Sequence, residues 1–194
     1  MVVAKAGLSA VLCQPAAIVA QRLLGSILVR ELNGQQTQLK IVETEAYDAS
    51  DAASHSSWGI TPRTKVMFGP AGFAYVYLSY GMHYCLNIVT GQVGMGSAVL
   101  IRALEPLSGE RLLQRHRPGH TGVTLTNGPA KLCQALQIDK QLYGHDLSQP
   151  PLWLKLAAPV EPLAITTTTR IGISHAKATP WRFYLTGNPY VSKL

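Results

Sequence analysis

The sequence predicts an α+β fold in a single domain spanning 1–194, and three observations carry that expectation. Strand-like runs alternate with tight turns, as antiparallel hairpins require, and helical patterns fall irregularly among them, which disfavours a doubly wound α/β arrangement. No repeat, low-complexity tract or long Pro/Gly/Ser linker divides the chain. With 194 residues, 47% of them hydrophobic, it can enclose a core of its own.

Pro15 suits the first turn of a helix whose apolar positions are Ile18, Val19, Leu23 and Leu24, and Gly25 ends it. Ser26 to Glu31 reads as a strand, Asn33-Gly34 as a hairpin turn, and Leu39 to Tyr47 as the returning strand. Asp48 to Arg63 is polar and loop-like, with room for a short helix. Phe73 to Asn87, rich in Tyr and Val, is the most strand-like run and breaks near Gly81. Gly96 to Ala103 reads as a further buried strand. Ser108 is placed to cap a helix through Arg117, and Pro129 opens another with Leu132, Ala135 and Leu136 on one face. The tail from Thr166 is strand and turn.

Lys plus Arg outnumber Asp plus Glu by 17 to 10, a net charge of +7. Such a balance favours an anionic partner: nucleic acid first, an acidic membrane surface or a phosphorylated metabolite as the plainer competitors. Cys13, Cys85 and Cys133 are odd in number, far apart and without a Cys-x-x-Cys pair, so they indicate neither a disulfide framework nor a zinc site. Met1 to Arg30 is apolar, but Gln14, Pro15, Gln21 and Arg22 interrupt it and no span is long enough for a bilayer. A cytoplasmic protein that does not enter membranes is expected.

Three constellations can carry chemistry. In Glu43-Thr44-Glu45-Ala46-Tyr47, strand alternation puts Glu43, Glu45 and Tyr47 on one face and Thr44 and Ala46 on the other. Two carboxylates beside a ring stand out in a chain with ten acidic residues. The alternation alone equally describes a solvated face with its charges paired to lysine or arginine. In the second, Tyr75 to Tyr84, four of the eight tyrosines occupy ten positions. Tyr75 and Tyr77 share a face and Tyr80 projects from a turn, which suits base stacking and a wedge, or ordinary aromatic packing. The third is basic: Arg63, Lys65, Arg102, Arg111, Arg115, His116 and Arg117, with Lys131 at a helix start after Asn127-Gly128-Pro129-Ala130. These suit phosphate contacts or a solvated helix face.

Collinear segments join these constellations: Ile41-Val-Glu-Thr-Glu-Ala-Tyr47, Thr61-Pro-Arg63, Met67-Phe-Gly-Pro70, Tyr75-Val-Tyr77, Tyr80-Gly-Met82, Leu100-Ile-Arg-Ala-Leu-Glu-Pro106, Asn127-Gly-Pro-Ala-Lys-Leu-Cys133, Arg182-Phe-Tyr184 and Gly187-Asn-Pro189. In order and spacing they resemble the alkyladenine (3-methyladenine, methylpurine) DNA glycosylases over most of the chain. That resemblance implies a curved antiparallel sheet with helices about it. It implies a monofunctional enzyme of base excision repair that flips alkylated or deaminated purines from double-stranded DNA and hydrolyses the N-glycosidic bond. By the same resemblance Glu45 is the general base for the water attacking C1′, and Arg102 holds that water or the adjacent phosphate. Tyr47, His55 and Tyr77 wall the base pocket, the His55 main-chain amide also donating to the base edge. Asn87 at the floor rejects the exocyclic amino group of undamaged guanine. Tyr80 is the wedge, Met82, Arg63 and Lys131 meet DNA with it, and Met82 and Leu100 also support wedge and pocket by packing. Glu43 is left as a structural carboxylate.

The resemblance implies no metal, no organic cofactor and a monomer. The chain departs from it at Ser56-Ser57-Trp58-Gly59-Ile60, which lacks a basic residue expected before Thr61, and at His83 and Tyr84 beside the wedge. It also lacks the long basic N-terminal extension of the mammalian enzymes, so a bacterial, cytoplasmic protein, nucleoid-associated when bound to DNA, is expected. Two other classes remain. A binder of distorted nucleic acid would bind without releasing a base. A carbohydrate glycosidase would use Glu43 and Glu45 as a pair, but neighbours on one strand do not set an acid and a base about 5–9 Å apart across a scissile bond.

Overall fold

The computed structural model describes residues 2–193; Met1 and Leu194, the ends of the expected domain, lie outside them. Two helices, α1 (Val2–Leu12) and α2 (Ala16–Arg22), precede the hairpin β1 (Ile27–Leu32) and β2 (Gln35–Tyr47). The polar loop contains two 3-10 turns, His55–Trp58 and Lys65–Phe68. A second hairpin, β3 (Ala74–Ser79) and β4 (His83–Thr90), leads to β5 (Ser97–Ser108), α3 (Glu110–His116) and α4 (Pro129–Ala135). Short strands β6 (Leu152–Lys155), β7 (Ile165–Thr168) and β8 (Arg182–Leu185) complete the described chain. All eight strands join one antiparallel sheet in the order β3-β4-β5-β2-β1-β6, with β8 beside β2 and β7 beside β8. The fold is α+β, as the sequence predicts.

Asn33 and Gly34 both have positive φ, 50° and 74°, as a two-residue type I′ hairpin demands. Strand β2 runs for 13 residues because it changes partner along one edge. Its first half pairs with β1 and its second, Glu43 to Glu45, with β8, while β5 follows the other edge. The second half is therefore an interior strand, and its two faces diverge. Thr44 and Ala46 face the main core; the Thr44 hydroxyl donates to the Ala20 carbonyl of α2 at 2.8 Å. Val19 and Ala20 of α2 with Leu23 and Leu24 just after it, Leu132, Cys133 and Ala135 of α4 with Leu136 just after it, and Val99 and Ile101 of β5 belong to that core. Glu43 and Glu45 occupy the opposite face.

Ser108 is the last residue of β5 and caps nothing; the N-cap of α3 is Gly109 at φ 79°, a left-handed conformation. The reversal from strand to helix leaves no room for a side chain, since a Cβ on Gly109 would lie 2.5 Å from Thr37 Cγ2 and 3.1 Å from Thr37 Cα. The helix α1 and strand β6 have no counterpart among the sequence expectations: the first is apolar without a clear period and the second is only four residues long. Gly109→Ala should lower folding stability by about 2 kcal/mol through positive-φ strain and the Thr37 clash. Urea unfolding with an unchanged m-value checks it.

Candidate active site

Antiparallel register aligns one cross-strand row over four neighbouring strands. Tyr75 on β3 lies opposite Asn87 on β4, Asn87 opposite Leu100 on β5, and Leu100 opposite Glu45 on β2. Arg182 on β8 faces Glu45 from the other side. Between β2 and β5 the ladder is irregular around Glu43, and Arg102 has no register partner there. A bulge of this kind re-aims a side chain, and Arg102 reaches both acids. Its Nε donates to Glu43 Oε1 at 2.9 Å, its Nη1 lies 3.1 Å from Glu45 Oε1, and its Nη2 donates to Ser192 Oγ at 3.3 Å. Burial alone would weaken its charge, but Glu45 and then Glu43 outweigh that and raise its pKa above the ordinary guanidinium value.

Glu43 has no exposed surface and is fully engaged. Its Oε1 also accepts from Arg182 Nε at 2.7 Å and Ser192 Oγ at 2.9 Å, and its Oε2 from the Ser192 amide at 2.6 Å. Glu45 is equally buried but more sparingly bonded. Its Oε2 accepts the Tyr47 hydroxyl at 2.7 Å, and its Oε1 accepts the Ile171 amide at 2.8 Å beside Arg102. All three partners line a cavity of about 730 Å³. The carboxylate thus sits one layer behind the cavity wall.

The same cavity collects Tyr47, His55, Arg63, Tyr75, Tyr77, Tyr80, Asn87, Leu100 and Arg102. His55 and Tyr77 meet edge to face, with centroids 4.6 Å apart, and Tyr75 and Tyr77 are tilted by 30° at 5.3 Å. Arg63 lies over the Tyr77 ring at 4.9 Å, and its Nη2 is 3.3 Å from His55 Nε2. A guanidinium only donates, so His55 accepts at Nε2 and carries its proton on Nδ1, 2.9 Å from the Tyr75 hydroxyl. Burial first, and Arg63 second, lower the His55 pKa to about 4. Burial dominates the rise of Tyr75 to about 12 and lifts Tyr47 and Tyr77 well above the usual phenol range. The rings are therefore neutral at pH 7. Asn87 donates from Nδ2 to the Tyr75 carbonyl at 3.1 Å, which leaves its Oδ1 as the spare polar atom.

Tyr80 is 85% exposed at the cavity rim, in the tight turn between β3 and β4. Tyr80 and Gly81 have φ of 50° and 70°, an unusual conformation for an aromatic residue. Met82 is 71% exposed, so it is not the packing residue that the resemblance implies. With Lys131, His83 and Arg117 it lines a separate groove. The Lys131 ammonium donates to Asn127 Oδ1 at 2.7 Å. Arg117 is buried and donates to the Thr124 and Leu125 carbonyls and to Gln134, so it serves the fold rather than a phosphate or a solvated helix face. Arg115 donates to Gln35 at 2.7 Å and lines neither the cavity nor Lys131's groove.

Sequence reasoning missed Asp51, Arg170 and Ile171, which meet at this site from two separate segments. It quoted Arg182 within a motif without giving it a task, and nothing local in Ser192 marks it. Trp58, 86% exposed on the cavity rim, stands in the loop that lacks the expected basic residue. Among the described residues no group of three or more His, Cys, Asp or Glu is placed to hold a metal ion, and no helix is long and apolar enough to cross a membrane. Cys85 lines the cavity, but burial pushes its thiol up and away from the reactive thiolate.

A proton titration by NMR should find the His55 midpoint near 4, and Arg63→Gln should move it upward. Because the folded value lies below the unfolded one of about 6.5, the unfolded chain binds the extra proton first. The stability contribution of His55 is therefore complete above about pH 6.5 and drains away as pH falls toward 4. A midpoint at the free-imidazole value would refute the burial argument.

The family model described as methylpurine-DNA glycosylase (MPG) matches residues 10–189. A protein of Carboxydothermus hydrogenoformans, named by assignment as a 3-methyladenine DNA glycosylase, is 53% identical over 91% of this chain and 93% of its own length. Relatives with the same assigned name from Desulfitobacterium hafniense and Methanoculleus marisnigri are each 48% identical over 90% of this chain and 92% of their own. Similarity that extends through both hairpins, the acidic strand and the tail leaves one conclusion: the chain belongs to the methylpurine-DNA glycosylase family.

Proposed function

We propose that this chain is a hydrolase of N-glycosyl bonds, a monofunctional DNA glycosylase that removes alkylated or deaminated purines from double-stranded DNA. The observation that carries the reading is the Glu45–Tyr47 pair, a buried carboxylate bonded at 2.7 Å to the hydroxyl of a cavity-wall ring. The aromatic lining offers faces on which a flipped purine would stack, and a cavity of about 730 Å³ is of small-molecule size. His55 is neutral at pH 7, so it adds no like charge of its own beside a cationic alkylated base.

Breaking the C1′–N bond builds positive charge on the sugar, which a nearby carboxylate stabilises while it orients water and takes its proton. The two oxygens of Glu45 differ. Oε1 already has the Ile171 amide and Arg102, whereas Oε2 has Tyr47 alone. A carboxylate oxygen has two acceptor sites, so Oε2 is the oxygen that accepts the attacking water. The described lining holds no lysine, which supports hydrolysis without an amine nucleophile. Arg102 holds the carboxylate, Asn87 sits where an exocyclic amino group would meet bulk, and the His55 amide donates to the base edge. Tyr80 fills the gap in the duplex, while Arg63, Lys131 and the exposed Met82 contact the DNA. The protein acts as a monomer.

With a duplex carrying hypoxanthine or ethenoadenine, alkali should reveal abasic sites made by the wild type. Glu45→Gln should slow single-turnover release by at least about 100-fold while duplex affinity survives. Equal rates would remove Glu45 from the mechanism, and tight binding with no release by the wild type would favour a pure binder. Tyr80→Asn should separate folding from function. Asn accepts positive φ readily, so stability should hold or rise by up to about 1 kcal/mol. Ethenoadenine fluorescence should meanwhile show a weaker flipped complex, and an unchanged flipping equilibrium would sink the wedge role.

A further inference from the structure

Arg170 contacts several of the segments that build the hydrolytic corner without lining the cavity itself. Its side chain is fully buried and its Nη1 and Nη2 grip both oxygens of Asp51, the second at 3.0 Å. Nη1 also donates to the Ala46 carbonyl at 2.9 Å, between Glu45 and Tyr47 on β2. The guanidinium carbon lies over the Tyr47 ring at 4.6 Å from its centroid, and 5.5 Å from that of Trp181. The next residue, Ile171, places its amide on Glu45 Oε1. Asp51 in turn accepts the Ala53 amide at 3.1 Å, just before Ser54 and His55. One side chain therefore ties the loop carrying His55, the strand carrying the base, and the irregular segment that continues through residues 171–175 along the cavity.

We infer that Arg170 is a positioning residue of the site, setting the Tyr47 ring and the Ile171 amide so that Glu45 keeps Oε2 for water. Two physical features support more than a fold-holding role. A buried ion pair is replaceable by neutral groups with little loss of stability, yet only a planar guanidinium bonds Asp51 in a fork and also stacks on a ring. Its contacts with Tyr47 and, through Ile171, with Glu45 fall on groups that the proposed reaction uses. A small misplacement there is felt in the rate, up to roughly a hundredfold for about 1 Å. The inference rests on the glycosylase reading above.

The test compares wild type, Arg170→Gln and Arg170→Gln/Asp51→Asn. The single variant strands a buried Asp51 charge and should unfold more easily; the double variant replaces both ions by amides that hydrogen-bond, and should recover most of the lost stability. Two readouts follow in the refolded double variant. Amide hydrogen exchange in peptides spanning 170–175 should accelerate at least about tenfold, and single-turnover base release at saturating enzyme should fall roughly tenfold to a hundredfold with duplex affinity retained. A double variant that releases base at the wild-type rate, or whose 170–175 exchange is unchanged, overturns the positioning role. If stability and rate recover in parallel, Arg170 only holds the fold and the inference likewise fails. A wild type that releases no base overturns the underlying glycosylase reading, and its own lane reports that separately from the variants.

Discussion

The structure depends on a buried carboxylate, Glu43, that has lost all contact with solvent. An ion in that position is tolerated only when paired and hydrogen-bonded. Arg102 from β5, Arg182 from β8 and Ser192 from the tail meet that demand from three directions. The requirement to neutralise Glu43 pins three distant segments to β2, two residues from Glu45. The Arg102 guanidinium, held by Glu43, then has an arm left for Glu45. The acid with no place in the proposed reaction decides where the acid that has one can stand.

The same strand works on both sides. Beyond the bulge its even positions bury Thr44 and Ala46 against α2 and the main core, and its odd positions carry the acids and Tyr47. A slip of one residue would exchange the faces and bury the acids in hydrocarbon. The apolar face therefore fixes the register of the polar one. The bulge at Glu43 modifies this rule locally: it lets Arg102 leave the regular ladder and span two acids. Packing energy on one side of the sheet is what holds the geometry on the other.

At the rim the relation between stability and function reverses. Tyr80 has positive φ and is almost fully exposed, both unfavourable for a lone aromatic residue in water. The tight β3–β4 turn imposes the conformation, and the ring projects where no protein group covers it. Inside the cavity the rings are desolvated and neutral, with His55 held in one tautomer between Arg63 and Tyr75. The rim exposes apolar surface while the rings inside stay uncharged, the arrangement expected if an uncovered base is to leave its stack and enter.

Local patterns determined a good deal. Asn33-Gly34 and Tyr80-Gly81 marked both hairpins because tight turns restrict φ within two residues. The alternation from Glu43 to Tyr47 correctly separated the acids from Thr44 and Ala46, since side-chain direction in a strand needs no tertiary information. The motif order likewise pointed to the family, and the cavity does gather Glu45's partners with His55, Tyr77 and Asn87. Tertiary structure decided what crosses from one segment to another. Ser108 reads as a cap until the approach of Thr37 makes glycine at 109 the only fit. Met82 and Arg117 exchange expected environments because exposure is set by neighbours far along the chain. The Arg170–Asp51 pair joins residues 119 positions apart, and the Glu43 cluster reaches Ser192, 149 positions away. Short-range sterics and alternation are written in adjacent residues, whereas the pairing of buried charges depends on which distant segments the folded sheet brings within hydrogen-bond reach.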